Sequence, residues 1–257
     1  MKLKLSTNHG IDSKAWQVLK PLQQYSHING VDTVWGLGSG NWNIVMDAIK
    51  NNKTWMFTDM PYWNRFDPNY PQAEYNWRIC LNSIHCNTVM ELPNDRSKTI
   101  DLKEWRDAIG EYILVAPSSQ TIHNFIGKPN WTQDTVDKLK TITDLPIKVR
   151  QKPRKNGTSG PHVAEVPLHI DLANAMYVVT SCSVVGVESV IEGIPTFCEP
   201  EAACAPVSNT DIFSLKPKIC DRQLWLNTLS YHQYTPNELQ NGTFVSIFKN
   251  LYPGVFE

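Results

Sequence analysis

The sequence predicts an α/β protein with a parallel sheet, and the clearest observation is the stretch 176–198. It opens with an apolar, β-branched run typical of a buried parallel strand, 176–179, followed by a small polar turn, 180–183. Apolar residues then recur at helical spacing until Gly193, and a second short strand, 196–198, follows. A strand, a helix and a strand in this order form a β-α-β unit.

Length and composition are the second observation. The chain has 257 residues, of which 41% are hydrophobic and 19% charged, as is ordinary for globular proteins. This length fits either two compact α/β lobes or one large domain. We place a lobe boundary after the apolar strand 112–116, which gives lobes 1–116 and 117–257. The net charge of −1 provides no global field towards nucleic acid or an anionic membrane, so any polyanion site has to be a local patch.

The cysteine pattern bears on metal binding and on the cellular compartment. Six cysteines are present without a CxxC pair or a matching histidine spacing, which argues against a zinc site. No N-terminal apolar segment and no apolar run of membrane-spanning length occurs. We therefore expect a reduced, cytoplasmic protein with no membrane partner, in which the sequons at Asn130, Asn156 and Asn241 are chance matches.

The turn at 180–183 is a candidate anion site. A helix that begins after a strand presents unpaired backbone N–H groups and a positive dipole end, which suit a phosphate. Ser183 can cap this helix, and Gly186 lacks a side chain that would keep a ligand away. Many such turns bind nothing, so the sequence leaves both alternatives open.

A glycine-rich turn, 36–40, follows the predicted strand 31–35 and precedes a predicted helix, 42–49. The GxGxG pattern is weak for a phosphate cradle, because the downstream acid of the full dinucleotide fingerprint is missing. The turn can line a cleft between lobes and let a substrate approach the backbone, or it can be a plain tight turn.

Asp59 ends the next predicted strand, 54–58. The carboxyl ends of parallel strands face the crevice where such sheets bind ligands, which makes Asp59 a candidate general base. The alternative is a capping or loop carboxylate. Beyond it, Arg65 and Arg78 lie among several aromatic residues in a pattern that could stack bases or sugars, or pack inside the protein.

The most basic run of the chain, 148–155, begins at a predicted strand, 147–149. Arg150 and Lys152 follow this strand on the side of the crevice, where they could neutralise the charge of a diphosphate. The alternative is that these charged residues are simply exposed to solvent, as is usual for such runs. His162 and His169 are weaker candidates. Glu199 and Glu201 follow the strand 196–198 and either contact a ligand or are simply exposed.

Further helices are predicted at 101–109, 132–143, 166–175 and 221–229, and from a capping box at Thr235 towards Leu251.

Five motifs, spread over most of the chain from residue 31 to 245, share a pattern with a known family. They are DMPY (59–62), RICLN (78–82), VRQK (149–152), the stretch from Ser183 through Glu188 to Pro195, and a C-terminal segment with Arg222, Trp225, QYT (233–235) and Glu238 to Gly242. The set resembles the small glycosyltransferase-like proteins of bacteriophages and prophages. Its serine-to-proline stretch also looks like the donor lobe of GT-B glycosyltransferases in general.

The resemblance implies a GT-B-like fold, in which two Rossmann-like lobes flank a cleft and a C-terminal helix packs back across them. A nucleoside diphosphate sugar, such as UDP-glucose, would bind the C-terminal lobe, and the acceptor would enter from the N-terminal lobe. The donor-binding residues would be Arg150, Lys152, Ser183, Val185, Gly186 and Glu188. The acceptor side of the cleft would present Gly38, Ser39, Gly40, Tyr62 and Arg78.

The implied reaction is transfer of the sugar to a hydroxyl of a hydroxymethylated pyrimidine, such as 5-hydroxymethylcytosine, in double-stranded phage DNA in the host cytoplasm. Asp59 would act as the base. No Asp-x-Asp motif is present, so we expect no obligatory metal or other cofactor. Two alternatives remain: a glycosyltransferase or sugar-nucleotide epimerase acting on surface glycans or small molecules, and a noncatalytic nucleotide- or DNA-binding module.

Overall fold

A computed structural model describes residues 18, 20–22, 24–25, 31–38, 40–65, 74–107, 109–150 and 166–254. The chain divides into a first unit, 1–86 with 228–257, and a second unit, 87–227. This division differs from the lobe boundary expected after Ala116. Within the described ranges, the strand that ends at Ala116 pairs with strands that follow it in the chain, so it belongs to the sheet of the second unit.

The described ranges contain α-helices, β-strands and one 3-10 turn at Ala205–Val207. The strands are β1 Asp32–Trp35, β2 Trp55–Asp59, β3 Trp77–Leu81, β4 Tyr112–Ala116, β5 Ile147–Val149, β6 Ala175–Thr180, β7 Thr196–Cys198 and β8 Gln233–Tyr234. The helices are α1 Asn41–Lys50, α2 Gln120–Phe125, α3 Trp131–Lys140, α4 Leu168–Ala173, α5 Val185–Ile191, α6 Gln223–Ser230, α7 Pro236–Asn241 and α8 Thr243–Leu251.

The sheet of the second unit is parallel throughout and has the strand order β5-β4-β6-β7. Its inner strands are apolar on both sides, as expected when helices cover both faces. On β4, Ile113 and Val115 pack with Trp131 and Leu139 of α3, whereas Leu114 packs with Leu172 of α4. The unit is therefore doubly wound, which confirms the predicted α/β class with a parallel sheet.

The sheet of the first unit is mixed and has the order β1-β2-β3-β8. β1 and β2 run parallel, while β3 and β8 are antiparallel to their neighbours. The C-terminal helices α7 and α8 belong to this unit and complete its aromatic core, in which Trp77, Tyr234, Phe244 and Phe248 are almost fully buried. Thr235 and Glu238 form the predicted capping box of α7.

The helix predicted at 101–109 is wrong. The described part of this segment is an irregular strap against the end of α5: the Lys103 N–H donates to the Ile191 carbonyl at 2.9 Å, and the Arg106 N–H donates to the Gly193 carbonyl at 2.7 Å. Arg222 adds a guanidinium hydrogen bond to the Val190 carbonyl at 2.6 Å. Because these bonds satisfy carbonyls that a helix end leaves without partners, tertiary contacts override the local helical pattern.

None of the helices in the described ranges is long and apolar enough to cross a membrane.

His232 makes the stability of the first unit depend on pH. Its Nδ1 donates to the Thr228 carbonyl at 2.8 Å, its Nε2 accepts from the Tyr252 hydroxyl at 2.6 Å, and burial lowers its pKa from 6.5 to about 4. Between these two pKa values the histidine is protonated in the unfolded chain but neutral in the folded protein. The free energy of unfolding therefore falls as the pH drops from about 6.5 to about 4.

We expect this residue to contribute about 2 kcal/mol of the stability lost between about pH 7 and about pH 4.5. Urea unfolding of His232→Asn should show a correspondingly smaller loss over this range, since asparagine cannot titrate. His169→Asn, at an exposed histidine, is the control. Equal pH dependence in both variants would contradict the assignment.

Candidate functional site

The order of strands in the second unit defines where a ligand is expected. β5 lies on one side of β4 and β6 on the other, so the chain direction across the sheet switches between β4 and β6. Open α/β sheets bind ligands in the crevice at the carboxyl ends of the strands at such a switch point. Here those ends are followed by Ser118, after β4, and by Ser181 to Ser183, after β6.

Serine side chains join the two strand ends. The Ser118 N–H donates to Ser181 Oγ at 3.0 Å, and the Cys182 N–H donates to Ser118 Oγ at 3.0 Å. The Ser183 N–H donates to Thr180 Oγ1 at 3.2 Å, and Ser183 Oγ accepts from the Val185 N–H at 3.3 Å. The predicted unpaired N–H groups of this turn are therefore largely bound to side-chain oxygens.

A second polar network lies beside these serines. His123 of α2 is buried, and its Nε2 lies 3.0 Å from Ser181 Oγ. Burial lowers the pKa of His123, partly offset by the charge of Glu199. Since Ser181 Oγ already accepts from a backbone N–H, it can donate its hydrogen to a neutral His123. The imidazole also lies against the indole of Trp131, with ring centroids 5.5 Å apart.

Glu199 directly follows β7, belongs to the same network and is only 5% exposed. One carboxylate oxygen accepts from Trp131 Nε1 at 2.6 Å, and the other pairs with Lys128. The Lys128 side chain itself is about half exposed. Burial raises the pKa of the Cys182 thiol, and the charges of Glu201 and Glu199 raise it further. The Glu199 N–H donates to the Ser181 carbonyl at 3.2 Å, which joins Glu199 to the turn after β6.

Gly186 has a packing role that the sequence did not indicate. The residue is buried in the first turn of α5, and a Cβ added to it would lie 2.6 Å from Cys204 Sγ and 2.9 Å from Thr180 Cγ2. The absent side chain therefore makes room for the protein itself. Val185 and Glu188, two other predicted donor residues, lie half-buried in the same turn of α5.

Arg150 is engaged by a carboxylate. Its Nη1 pairs with Asp171 and donates to the Val166 carbonyl at 2.8 Å, and its side chain is only 13% exposed. The Lys148 Nζ lies 2.6 Å from the other oxygen of Asp171. The charge expected to face a diphosphate is thus balanced by a buried aspartate. Lys152 lies outside the described residues.

In the first unit, the glycine turn and Asp59 lie at one edge of the sheet, because β1 and β2 are parallel and paired. Gly38 and Gly40 are exposed, with no atom within 4 Å of an added Cβ, and Ser39 lies outside the described residues. The Asp59 side chain is 35% exposed. Its Oδ1 accepts from the Met60 N–H at 2.7 Å, and its Oδ2 accepts from Arg78 Nη2 at 3.3 Å.

Arg78 and Tyr62 lie beneath Asp59 and are buried. Arg78 stands opposite Asp59 in the β2–β3 register, donates to His85 Nδ1 at 3.1 Å, and lies over the Tyr62 ring at 5.2 Å. The Tyr62 hydroxyl accepts from the Cys86 N–H at 3.0 Å. Arg78 and Tyr62, predicted to face the acceptor, thus lie in the interior, where Arg78 holds the Asp59 carboxylate and packs on the Tyr62 ring.

The sequence does not single out Ser118, His123, Lys128 or Trp131, whereas Ser181 lies in the turn 180–183 that is predicted as an anion site. The available signal is the serine pair, 118–119, directly after the apolar strand 112–116. His123 and Lys128 carry no motif, since only folding brings them to β6 and β7. Within the described ranges, no group of three or more His, Cys, Asp or Glu side chains is arranged to hold a metal ion.

No protein-family model and no curated protein sequence matches the chain. Among solved structures, it is similar to the β-Kdo 2,4 transferase of Thermosulfurimonas dismutans KpsC, with a TM-score of 0.48 and 10% identity over 82% of this chain and 87% of that one. It is also similar to the β-Kdo 2,7 transferase of the same KpsC, with a TM-score of 0.46 and 12% identity over 88% and 89%.

Gly186→Ala should destabilise the protein by about 1–3 kcal/mol, because the new methyl group overlaps Cys204. The double variant with Cys204→Ala should lose less than the sum of the single changes, since removing Sγ relieves part of the overlap. Gly38→Ala, in open space, is the control. Urea unfolding gives the free energy of unfolding of all four variants. If the losses of the two single variants add up to that of the double variant, the packing role is wrong.

Arg150→Ala should lower the free energy of unfolding by about 2 kcal/mol, because Asp171 remains buried with Lys148 as its other cation. Lys148→Ala should cost less, since that side chain is 42% exposed. Chemical denaturation gives both values, and titration with UDP shows whether binding changes. Normal stability with lost UDP binding would restore the phosphate role expected from the sequence.

Proposed function

We propose that the protein is a glycosyltransferase that uses a nucleoside diphosphate sugar, with a UDP-linked sugar as the first candidate. The observation that carries this proposal is the switch point of the second unit. There, polar side chains from the ends of β4, β6 and β7 surround the crevice in which doubly wound sheets bind their ligands. The resemblance of the serine-to-proline stretch to donor lobes agrees with this place for the donor.

Asp59 is the proposed general base. Its carboxylate is partly exposed at the edge of the first sheet and held by Arg78 and the Met60 N–H. In a single displacement, the acceptor oxygen bonds to the anomeric carbon, the bond from that carbon to the diphosphate oxygen breaks, and Asp59 takes the acceptor proton.

For the acceptor we propose a hydroxymethylated pyrimidine in double-stranded DNA, the substrate implied by the phage family. We further propose that no metal is obligatory and that protein groups meet the charge of the leaving diphosphate. Surface glycans and small molecules are the competing acceptors. Mass analysis of nucleosides after incubation with hydroxymethylated duplex DNA distinguishes these, and added EDTA tests the need for a metal.

Asp59→Asn should reduce sugar transfer by about 10²- to 10⁴-fold, because the amide cannot take the acceptor proton, while the dissociation constant of the donor stays within about twofold. Release of nucleoside diphosphate measures turnover, and calorimetric titration measures donor binding. Asp47→Asn makes the same change at an exposed carboxylate of the first unit and serves as the control.

Full turnover by Asp59→Asn would remove this residue from the mechanism. Donor binding without transfer to any acceptor would instead favour the noncatalytic alternative.

A further inference from the structure

The Asp59 carboxylate stands at one end of a chain of three side chains that lies within the first unit and ends at the buried His85. We propose that His85 is a positioning residue for sugar transfer, because its neutral imidazole orients the Arg78 guanidinium, which in turn orients Asp59. This inference rests on the proposed function and deepens it, since it assigns part of the reaction to a histidine that acts only through Arg78.

The contact between Arg78 and Asp59 does not by itself fix the direction of the carboxylate. Arg78 Nη2 donates to Asp59 Oδ2 at 3.3 Å, whereas Oδ1 accepts from the Met60 N–H at 2.7 Å. The guanidinium thus supplies one hydrogen bond and not the two parallel bonds that hold an arginine and a carboxylate in one plane. The position of Oδ2 therefore depends on how the guanidinium is turned.

His85 determines how the guanidinium is turned. The Arg78 side chain is 4% exposed, and the rings of Phe57 and Tyr62 have their centroids 5.6 and 5.2 Å from its Cζ. The face of a ring attracts a cation without fixing the direction of its N–H groups. Among the described residues, Arg78 Nε has no hydrogen-bond partner, and the bond from Nη1 to His85 Nδ1, at 3.1 Å, is the one directional contact of the guanidinium besides Asp59.

This role requires one protonation state of His85. Arginine nitrogens donate and do not accept, so Nδ1 of His85 carries a lone pair and the hydrogen of the neutral ring lies on Nε2. The residue is 4% exposed, and its ring is stacked against Tyr62 with centroids 6.0 Å apart. The segment that carries it is anchored at Asn82, whose N–H donates to the Trp55 carbonyl at 2.8 Å. A buried ring on an anchored segment provides an acceptor at a fixed point, as positioning requires.

The test compares His85→Phe, which keeps a ring against Tyr62 but has no acceptor, with His85→Asn, whose Oδ1 can replace Nδ1 as the acceptor. In His85→Phe, kcat for sugar transfer should fall by about 10- to 100-fold, because a small displacement of a catalytic group has effects of this size. The dissociation constant of the donor should stay within about twofold, and His85→Asn should retain kcat within about threefold.

His232→Phe is the matched control, because His232 is also a buried histidine of the first unit but forms its hydrogen bonds with Thr228 and Tyr252. This variant should have a lower free energy of unfolding in urea and an unchanged kcat. A general loss of stability therefore does not reproduce the result expected for His85→Phe.

Nitrogen-15 NMR spectroscopy gives a measurement that does not depend on turnover. In the unaltered protein near neutral pH, His85 should carry a hydrogen on Nε2 and none on Nδ1, and the Nη hydrogens of Arg78 should exchange slowly with water. Slow exchange should persist in His85→Asn and be lost in His85→Phe. A hydrogen on Nδ1 in the unaltered protein overturns the proposal without any variant, so the question is decided even if His85→Phe does not fold.

If the unaltered protein transfers sugar and His85→Phe loses no more kcat than His232→Phe, the positioning role is wrong and the proposed function stands. If the folded, unaltered protein neither binds a nucleoside diphosphate sugar nor transfers its sugar, the proposed function is wrong, and with it the role of His85 in transfer.

Discussion

The second unit depends on the burial of both faces of its parallel sheet. β4 sends alternate side chains into two separate apolar clusters, so a polar side chain at Ile113, Leu114 or Val115 would enter a core on either side. Polar chemistry is therefore confined to the ends of the strands. At the carboxyl ends of β4, β6 and β7, serine, histidine and glutamate side chains meet, and this constraint places the candidate donor site.

The polar groups at the carboxyl ends of these strands form hydrogen bonds and ion pairs with one another. Serine oxygens accept from the backbone of the turn after β6, and Glu199 accepts from an indole N–H and an ammonium group. These bonds fix Glu199 in place, because breaking either one leaves an oxygen of a buried carboxylate without a partner. A group held in this way needs little further ordering if a ligand binds beside it.

The first unit uses a different device around Asp59. The buried guanidinium of Arg78 lies against aromatic rings and bonds to both His85 and Asp59, so the partly exposed carboxylate has a fixed position. A buried cation is costly unless paired and hydrogen-bonded. In the RICLN motif, Arg78 thus supports one carboxylate, whereas Ile79 packs in the core. In the QYT motif, the Gln233 side chain accepts a hydrogen bond from the Tyr62 N–H, Tyr234 packs in the same core, and Thr235 caps α7.

The sequence by itself determined the elements whose signal is local. The apolar runs of β4 and β7, the helical spacing of α5 and the capping box at Thr235 were all predicted from neighbouring residues, as was the position of Asp59 at a strand end. Tertiary structure decided the partners. In the folded protein, Arg150 pairs with Asp171, and Cys204 occupies the space beside Gly186. The described part of the segment 101–109 is an irregular strap and not a helix. Lys128, distant in the chain, pairs with Glu199. These contacts join residues far apart in the chain. Whether a side chain is buried, and which charge lies beside it, is determined only when the strands have paired.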